Sequence, residues 1–273
     1  VARSARMRSP VAVLLLLSCT SVFAQADTTH WTVPGFFDLF TTDELGQLYT
    51  LHGNDLDLYD PHGKHLAHNS FNTFGPISRI DAFSSLKPMI YSRAQGQLAV
   101  LDNTLSMQGN ATNLNALGLP QTILSCTGVQ GCFWFFDERD LQLMRLDGQL
   151  KTLANTGRLD QLLGFTPAPT YMTEHDSKLY MVDPERGVLV FDLFGTFMRT
   201  LPIIGAQTIQ VRDGVIWFVG DGTMNRYDMR LLSTDEVLWP TSKDSLATRD
   251  ARIEHGRLYR LMPDRILVDR LAP

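Results

Sequence analysis

In six successive segments of the chain, apolar residues alternate with polar ones or run in short blocks rich in Val, Ile, Phe, Tyr and Trp. This is the two-residue spacing of strands rather than the 3.6-residue spacing of a helix. Each segment starts with a strand of the type Leu-Tyr-x-apolar. A short polar turn follows, then a second strand that ends in an apolar residue and Asp. The first three are LYTL from Leu48 with LDLYD ending at Asp60, MIYS from Met89 with LAVLD ending at Asp102, and CFWFF from Cys132 with LQLMRLD ending at Asp147. The others are LYMV from Leu179 with VLVFD ending at Asp192, VIWFV from Val215 with MNRYD ending at Asp228, and LYRL from Leu258 with RILVD ending at Asp269.

Successive terminal Asp residues are 42, 45, 45, 36 and 41 positions apart. Turn signals such as DPHG from Asp60 and DLFG from Asp192 follow the second strand. There the Asp accepts backbone hydrogen bonds and the Gly takes positive φ. Further strands flank the pairs: ISRIDAF after Pro76, HLAH after Lys64 and FMRTLPI after Thr196. Four strands in a period of roughly 40 residues predict a blade whose faces are covered by its neighbours. The fold expected is all-β, a six-bladed β-propeller, with five or seven blades as alternatives. The last unit stops after its second clear strand, so the extended segment His30–Val33 is the candidate that closes the last blade and removes two sheet edges. Short helical turns are expected at NALGL from Asn115, RLDQLLG from Arg158 and LATRDAR from Leu246.

Before the first repeat, Arg3, Arg6 and Arg8 precede the apolar run Val11–Ser18 and small residues around Ala24. Residues 1–24 read as an export signal, leaving 25–273 as one propeller domain. Leu16, Leu17, Ser18 and Cys19 offer a second reading, a lipobox whose Cys19 carries a lipid anchor. The apolar run is too short to span a bilayer, which takes roughly 20 residues, and no later one approaches that length. Removing residues 1–24 takes three Arg and no acid, so the net charge moves from −5 to −8. That balance argues against nucleic acid as a partner.

The quoted strands VLVFDLFGTFMRTLPI (188–203), AVLDNTLSMQG (99–109), FWFFDERDLQLMRLD (133–147) and GRLDQLLG (157–164) resemble an uncharacterised family of exported, NHL/WD40-like β-propeller proteins of Bacteroidota-type Gram-negative bacteria. The resemblance runs over about residues 30–270 and implies export to the periplasm or the outer membrane. It carries no catalytic motif. By analogy with envelope propellers such as the scaffold lipoprotein of outer-membrane barrel assembly, it implies a scaffold or accessory role, monomeric outside its complex with an envelope protein.

Candidate chemistry is sparse. No G-x-S-x-G, H-E-x-x-H, phosphate-loop or dinucleotide motif occurs, so the expectation is a chain that is not an enzyme, with no catalytic, cofactor or metal residues. One Asp per blade is too few oxygen ligands for calcium. His62, His65 and His68 cannot all converge from one strand without a bend. Trp134, Trp217 and Trp239, with Phe133, Phe135, Phe136 and Tyr180, would suit a sugar-stacking surface, but most of them fall on the apolar strand positions of the repeat, which favours blade-to-blade packing. Cys126 and Cys132 flank TGVQG and form a candidate hairpin disulfide. The turns carrying Asp137, Glu138 and Arg139, then Asp183, Glu185 and Arg186, then Asp221, fall at one point of three successive units. They are the candidate partner-contacting rim. The alternative to a scaffold is a ligand-binding or hydrolytic propeller that takes a peptide or saccharide in its central funnel. Converging carboxylates or histidines there would favour it.

Overall fold

The computed structural model describes residues 31–220, 222–237 and 248–271. After β1 (Trp31–Pro34), blade one consists of β2 (Leu39–Thr42), β3 (Leu48–His52), β4 (Asp55–Tyr59) and β5 (His65–Ser70). Blade two holds β6 (Arg79–Asp81), β7 (Met89–Ser92), β8 (Gln97–Val100) and β9 (Thr112–Asn113). Blade three holds β10 (Thr122–Gly128), β11 (Cys132–Asp137), β12 (Gln142–Leu146) and β13 (Thr152–Asn155). Blade four holds β14 (Tyr171–His175), β15 (Lys178–Asp183), β16 (Gly187–Asp192) and β17 (Phe197–Leu201). Blade five holds β18 (Gln210–Arg212), β19 (Val215–Gly220), β20 (Thr223–Asp228) and β21 (Ser233–Val237). Blade six runs β22 (Asp250–Glu254), β23 (Arg257–Leu261) and β24 (Arg265–Arg270), with β1 as its outer strand. The six four-stranded antiparallel sheets stand in a ring, so the chain is a six-bladed β-propeller.

Ring closure follows the expected route. Trp31 pairs with Val268 and Pro34 with Arg265, so the strand at the start of the described chain completes the last sheet. The repeat motif turns out to be the second and third strand of each blade. These strands are buried on both faces because neighbouring blades sandwich them, which explains their near-continuous apolar runs. Six apolar clusters form the core, and each lies between two consecutive blades. Trp134 is fully buried in the seam of blades three and four, and Trp217 is half-buried beside blade six. Trp239 lies outside the described residues.

The terminal Asp residues close equivalent corners in five blades. Asp60 Oδ1 accepts the N–H groups of His62 (2.8 Å) and Lys64 (2.9 Å). Asp102, Asp147 and Asp192 accept the same pair of positions. Asp228 accepts Arg230 and Leu231. The residue three beyond the Asp takes positive φ, as Gly63 and Gly195 in blades one and four but as Leu105 and Leu150 in blades two and three. Asp269 departs from the pattern: its blade takes β1 as the outer strand, and its carboxylate instead accepts from Arg260 Nη2 at 2.5 Å.

Of the expected helical turns, Asn115–Leu117 is a 3₁₀ turn and α1 (Leu159–Leu163) is a short helix capped by Gly164 at positive φ. LATRDAR is corrected. Residues 246 and 247 lie outside the described set, and from Asp250 the chain is β22, whose alternation buries Ala251 against blade five.

Candidate functional site

The innermost strand of each blade lines the central channel, and β14, β18 and β22 each turn back through a two-residue hairpin. Both loop residues have positive φ in each: Asp176–Ser177, Asp213–Gly214 and His255–Gly256. That is the tight turn whose twist matches the flanking strands. The Asp176–Ser177 hairpin, Asp43 and Glu44 of blade one, and the ends of β18 and β22 at Arg212 and Glu254 line a funnel of about 470 Å³. Six carboxylates line it, from Asp43, Glu44, Asp81, Glu174, Asp176 and Glu254, with His175, Arg79, Arg212 and Arg252 among them.

Most of these carboxylates are held in place. Glu174 is buried and accepts Trp134 Nε1 at 2.6 Å and Val129 N at 2.8 Å, packed so close to Gly128 that a β-carbon there would collide with it. Glu254 accepts Gln210 Nε2 at 2.7 Å and pairs with Arg212. Gln210 in turn donates to Ile253 O and accepts from Ile253 N, tying blade five to blade six. Asp43 accepts Leu45 N and Gln47 N, each at 2.9 Å, and Tyr49 OH at 3.2 Å. Glu44 reaches across to Ser85 N and Oγ.

Burial shifts the titrations apart. It pushes the Asp43 and Glu254 carboxyls above the usual carboxylate range, against the pull of hydrogen bonds to Gln47 and Leu45 in one case and of Arg212 in the other. It pushes the His175 imidazole below the usual histidine value, with Arg212 acting in the same direction and Asp176, 3.5 Å from Nε2, opposing. One cavity therefore holds carboxyls that keep a proton more readily and an imidazole that gives one up more readily, the division of labour that acid–base chemistry needs.

The funnel ends in a neck. The Arg79 guanidinium lies 4.0 Å from the centroid of the Tyr171 ring and that of Arg252 lies 5.6 Å from it. Beyond the neck a second funnel of about 290 Å³ opens on the opposite face of the disc.

The expected rim residues sit on that opposite face, in the turns after β11 and β15. Glu138, Arg139, Glu185 and Arg186 are exposed, and Arg93 of the corresponding turn in blade two lies 3.4 Å from Glu138. Asp137 and Asp183 are each 1% exposed. Their carboxylates turn inward to accept backbone N–H groups, Asp140 for the first and Glu185, Arg186 and Ala168 for the second. Asp221, Cys19 and the whole of residues 1–24 lie outside the described residues.

Cys126 and Cys132 are both free and buried, which corrects the candidate disulfide. Cys126 pairs with Trp134 while Cys132 pairs with Gly128. The two are thus offset diagonally on the ladder, a spacing of roughly 7–8 Å, too wide for a bridge. Among the described residues no group of three or more His, Cys, Asp or Glu is placed to hold a metal ion. His65 and His68 both reach Asp57 Oδ1, at 2.8 and 3.0 Å, because a bulge between Leu58 and Tyr59 brings residues three apart to one face. No helix among the described residues is long and apolar enough to cross a membrane.

No protein-family model matches the chain, and no curated protein sequence does. Solved structures define the class as β-propellers. Virginiamycin B lyase from Staphylococcus aureus superposes with a TM-score of 0.61 at 11% identity, over 90% of this chain and 100% of the lyase. A catalytically inactive variant of that lyase, solved with quinupristin, gives 0.62 at 12% identity over 90% and 100%. The WD40 domain of Pan2 from Neurospora crassa gives 0.53 at 8% over 87% and 76%. At these identities the likeness concerns the fold. It still corrects the expectation that the chain is not an enzyme: lyases stand among the chains built this way, so a missing linear motif is no ground for excluding catalysis.

Proposed function

We propose that the chain binds a small polar ligand of the peptide or saccharide class in the acidic funnel and performs acid–base chemistry on it. The observation that carries this reading is one cavity lined by the half-buried His175 and the buried carboxyls of Asp43 and Glu254, whose titrations are shifted in opposite directions. A channel plugged with apolar side chains would have argued for the opposite. The lyase neighbours support the same reading at the level of the fold.

The test is turnover of a panel of short peptides, oligosaccharides and quinupristin, followed by mass spectrometry. His175→Ala and Glu254→Gln are each expected to lower turnover by roughly 10²-fold or more, as loss of a general acid or base does. Neutral His175 as base would give a rate that falls as pH drops below the usual histidine range, because its lowered pKa keeps it unprotonated down to that point. An unturned panel, or variants as active as the parent chain, would overturn the reading.

A second reading is favoured by the exposed charges Glu138, Arg139, Glu185 and Arg186 at equivalent turns of adjacent blades. In it these turns dock an envelope protein after export. Cross-linking from those four positions in envelope extract is expected to yield a discrete adduct that charge-reversal variants lose.

A further inference from the structure

The second funnel differs from the first in its charge. Arg79, Arg93 and Arg252 line it with a single carboxylate, Asp250. Arg252 is 7% exposed and the Arg79 side chain 11%, so two guanidinium charges are held in the neck against one ring. Buried charges of like sign are costly unless closely paired, and here the pairing is loose. Asp81 Oδ2 stands 3.4 Å from Arg79 Nη2 and also accepts Thr127 N at 3.0 Å. Asp250 Oδ2 stands 4.0 Å from Arg252 Nη2, while Oδ1 accepts Thr208 Oγ1 and Ala251 N.

The remaining guanidinium bonds go from Arg79 to Met172 O at 2.9 Å, and from Arg252 to Ile209 O at 3.1 Å and to Tyr171 OH at 3.5 Å. The Nε–H groups of both arginines are enclosed without a hydrogen-bond partner. Arg93 stands at the mouth, half-exposed, with Glu138 at 3.4 Å. Converging, rigidly held guanidinium forks with unused donors are the arrangement that recognises oxyanions.

We propose that this funnel is a binding site for a small oxyanion, a phosphate or carboxylate group, seated between Arg93 at the mouth and Arg79 and Arg252 in the neck. The site lies across the neck from the acidic funnel and does not depend on any activity there. It makes the channel bipolar, with cation-attracting walls on one face and anion-attracting walls on the other.

The test is thermal unfolding and calorimetry of the full chain with inorganic phosphate, with acetate as a parallel arm, at ionic strength held constant with chloride. Saturable binding of phosphate or acetate is expected, and the tighter of the two names the oxyanion. Arg93→Ala should weaken it roughly tenfold, the loss of about one charge-assisted hydrogen bond. Arg252→Lys keeps the charge but removes the fork and should weaken it at least as much. Arg139→Ala, on the exposed turn after β11, should leave it unchanged. If Arg252→Lys fails to fold, Arg93→Ala decides alone. Absence of saturation with both anions, or equal affinity in Arg93→Ala, would overturn the proposal.

Discussion

The repeated Asp is one residue type in two physical roles, and substitution separates them. At Asp192 the carboxylate accepts Phe194 N at 2.9 Å and Thr196 N at 2.8 Å at a solvent-facing corner, so Asp192→Ala leaves donors that water can reach. The expected cost is about 1 kcal/mol, and Asn should restore most of it. Asp269 instead faces Arg260, a guanidinium that is 1% exposed. Taking a carboxylate away from a buried cation costs about 3 kcal/mol, so Asp269→Ala should be the more damaging change although its sequence context looks the same. Urea unfolding of both variants checks the order, and equal losses would contradict it. The corner also explains why two blades hide their turn. Leu105 and Leu150 occupy the positive-φ position where Gly63 and Gly195 stand elsewhere, and Leu105 uses its side chain to fill the seam between blades one and two.

At the scale of the element, the strands with the strongest signature in the chain are those packed on both faces, whereas of the channel-lining strands only β6, within ISRIDAF, is legible. β15 and β16 present LYMV and VLVFD, unbroken apolar runs with a strong signature. The inner strand of the same blade is YMTEH, in which Tyr171, Thr173 and His175 face the funnel, Met172 packs into the seam of blades three and four, and the buried Glu174 borders the funnel while bonding Trp134. Facing water inside the ring, such strands carry the mixed polarity of loops. LATRDAR therefore reads as a helical turn, and Arg79, His175, Arg212, Arg252 and Glu254 do not stand out as a group until the ring brings them together. The hairpins that position them obey a readable rule. Asp213–Gly214 and His255–Gly256 place Gly at the second loop position, whereas blade four places Ser177 there at φ 57°. A non-glycine residue in that region costs roughly 1 kcal/mol. Ser177→Gly should therefore raise stability by up to about that amount in chemical denaturation. A loss of stability would mean that Ser177 makes a contact worth more than its strain.

At the scale of the whole molecule, the ring is only as strong as its thinnest seam, and among the described residues the seam with the fewest buried apolar side chains is the one between blades five and six. Between blades one and two thirteen buried apolar residues interlock. Between blades five and six, among the described residues, Met224, Ala251 and Leu258 are the buried ones, with Trp217, Val219, Val237, Ile253 and Leu271 partly covered around them. Blade six is held on its other side by eight buried residues shared with blade one, and Val33 of that set belongs to the closing strand β1. β1 adds a four-residue ladder to β24, and Trp31 lies over Gly63, donates Nε1–H to Pro61 O at 3.2 Å and meets Tyr259 edge-on. A chain cut after Pro34 should consequently lose more than four residues of sheet. β24 becomes an open edge able to pair with another molecule, and the blade beside the weak seam loses its clamp. The expected result is a lower melting temperature, concentration-dependent self-association, and a fall in hydrogen-exchange protection concentrated in β22, β23 and β24. Because Arg252 and Glu254 sit on β22, binding in both funnels should weaken in parallel. Protection lost evenly around the ring would show instead that the blades unfold as one unit and that closure holds them all equally.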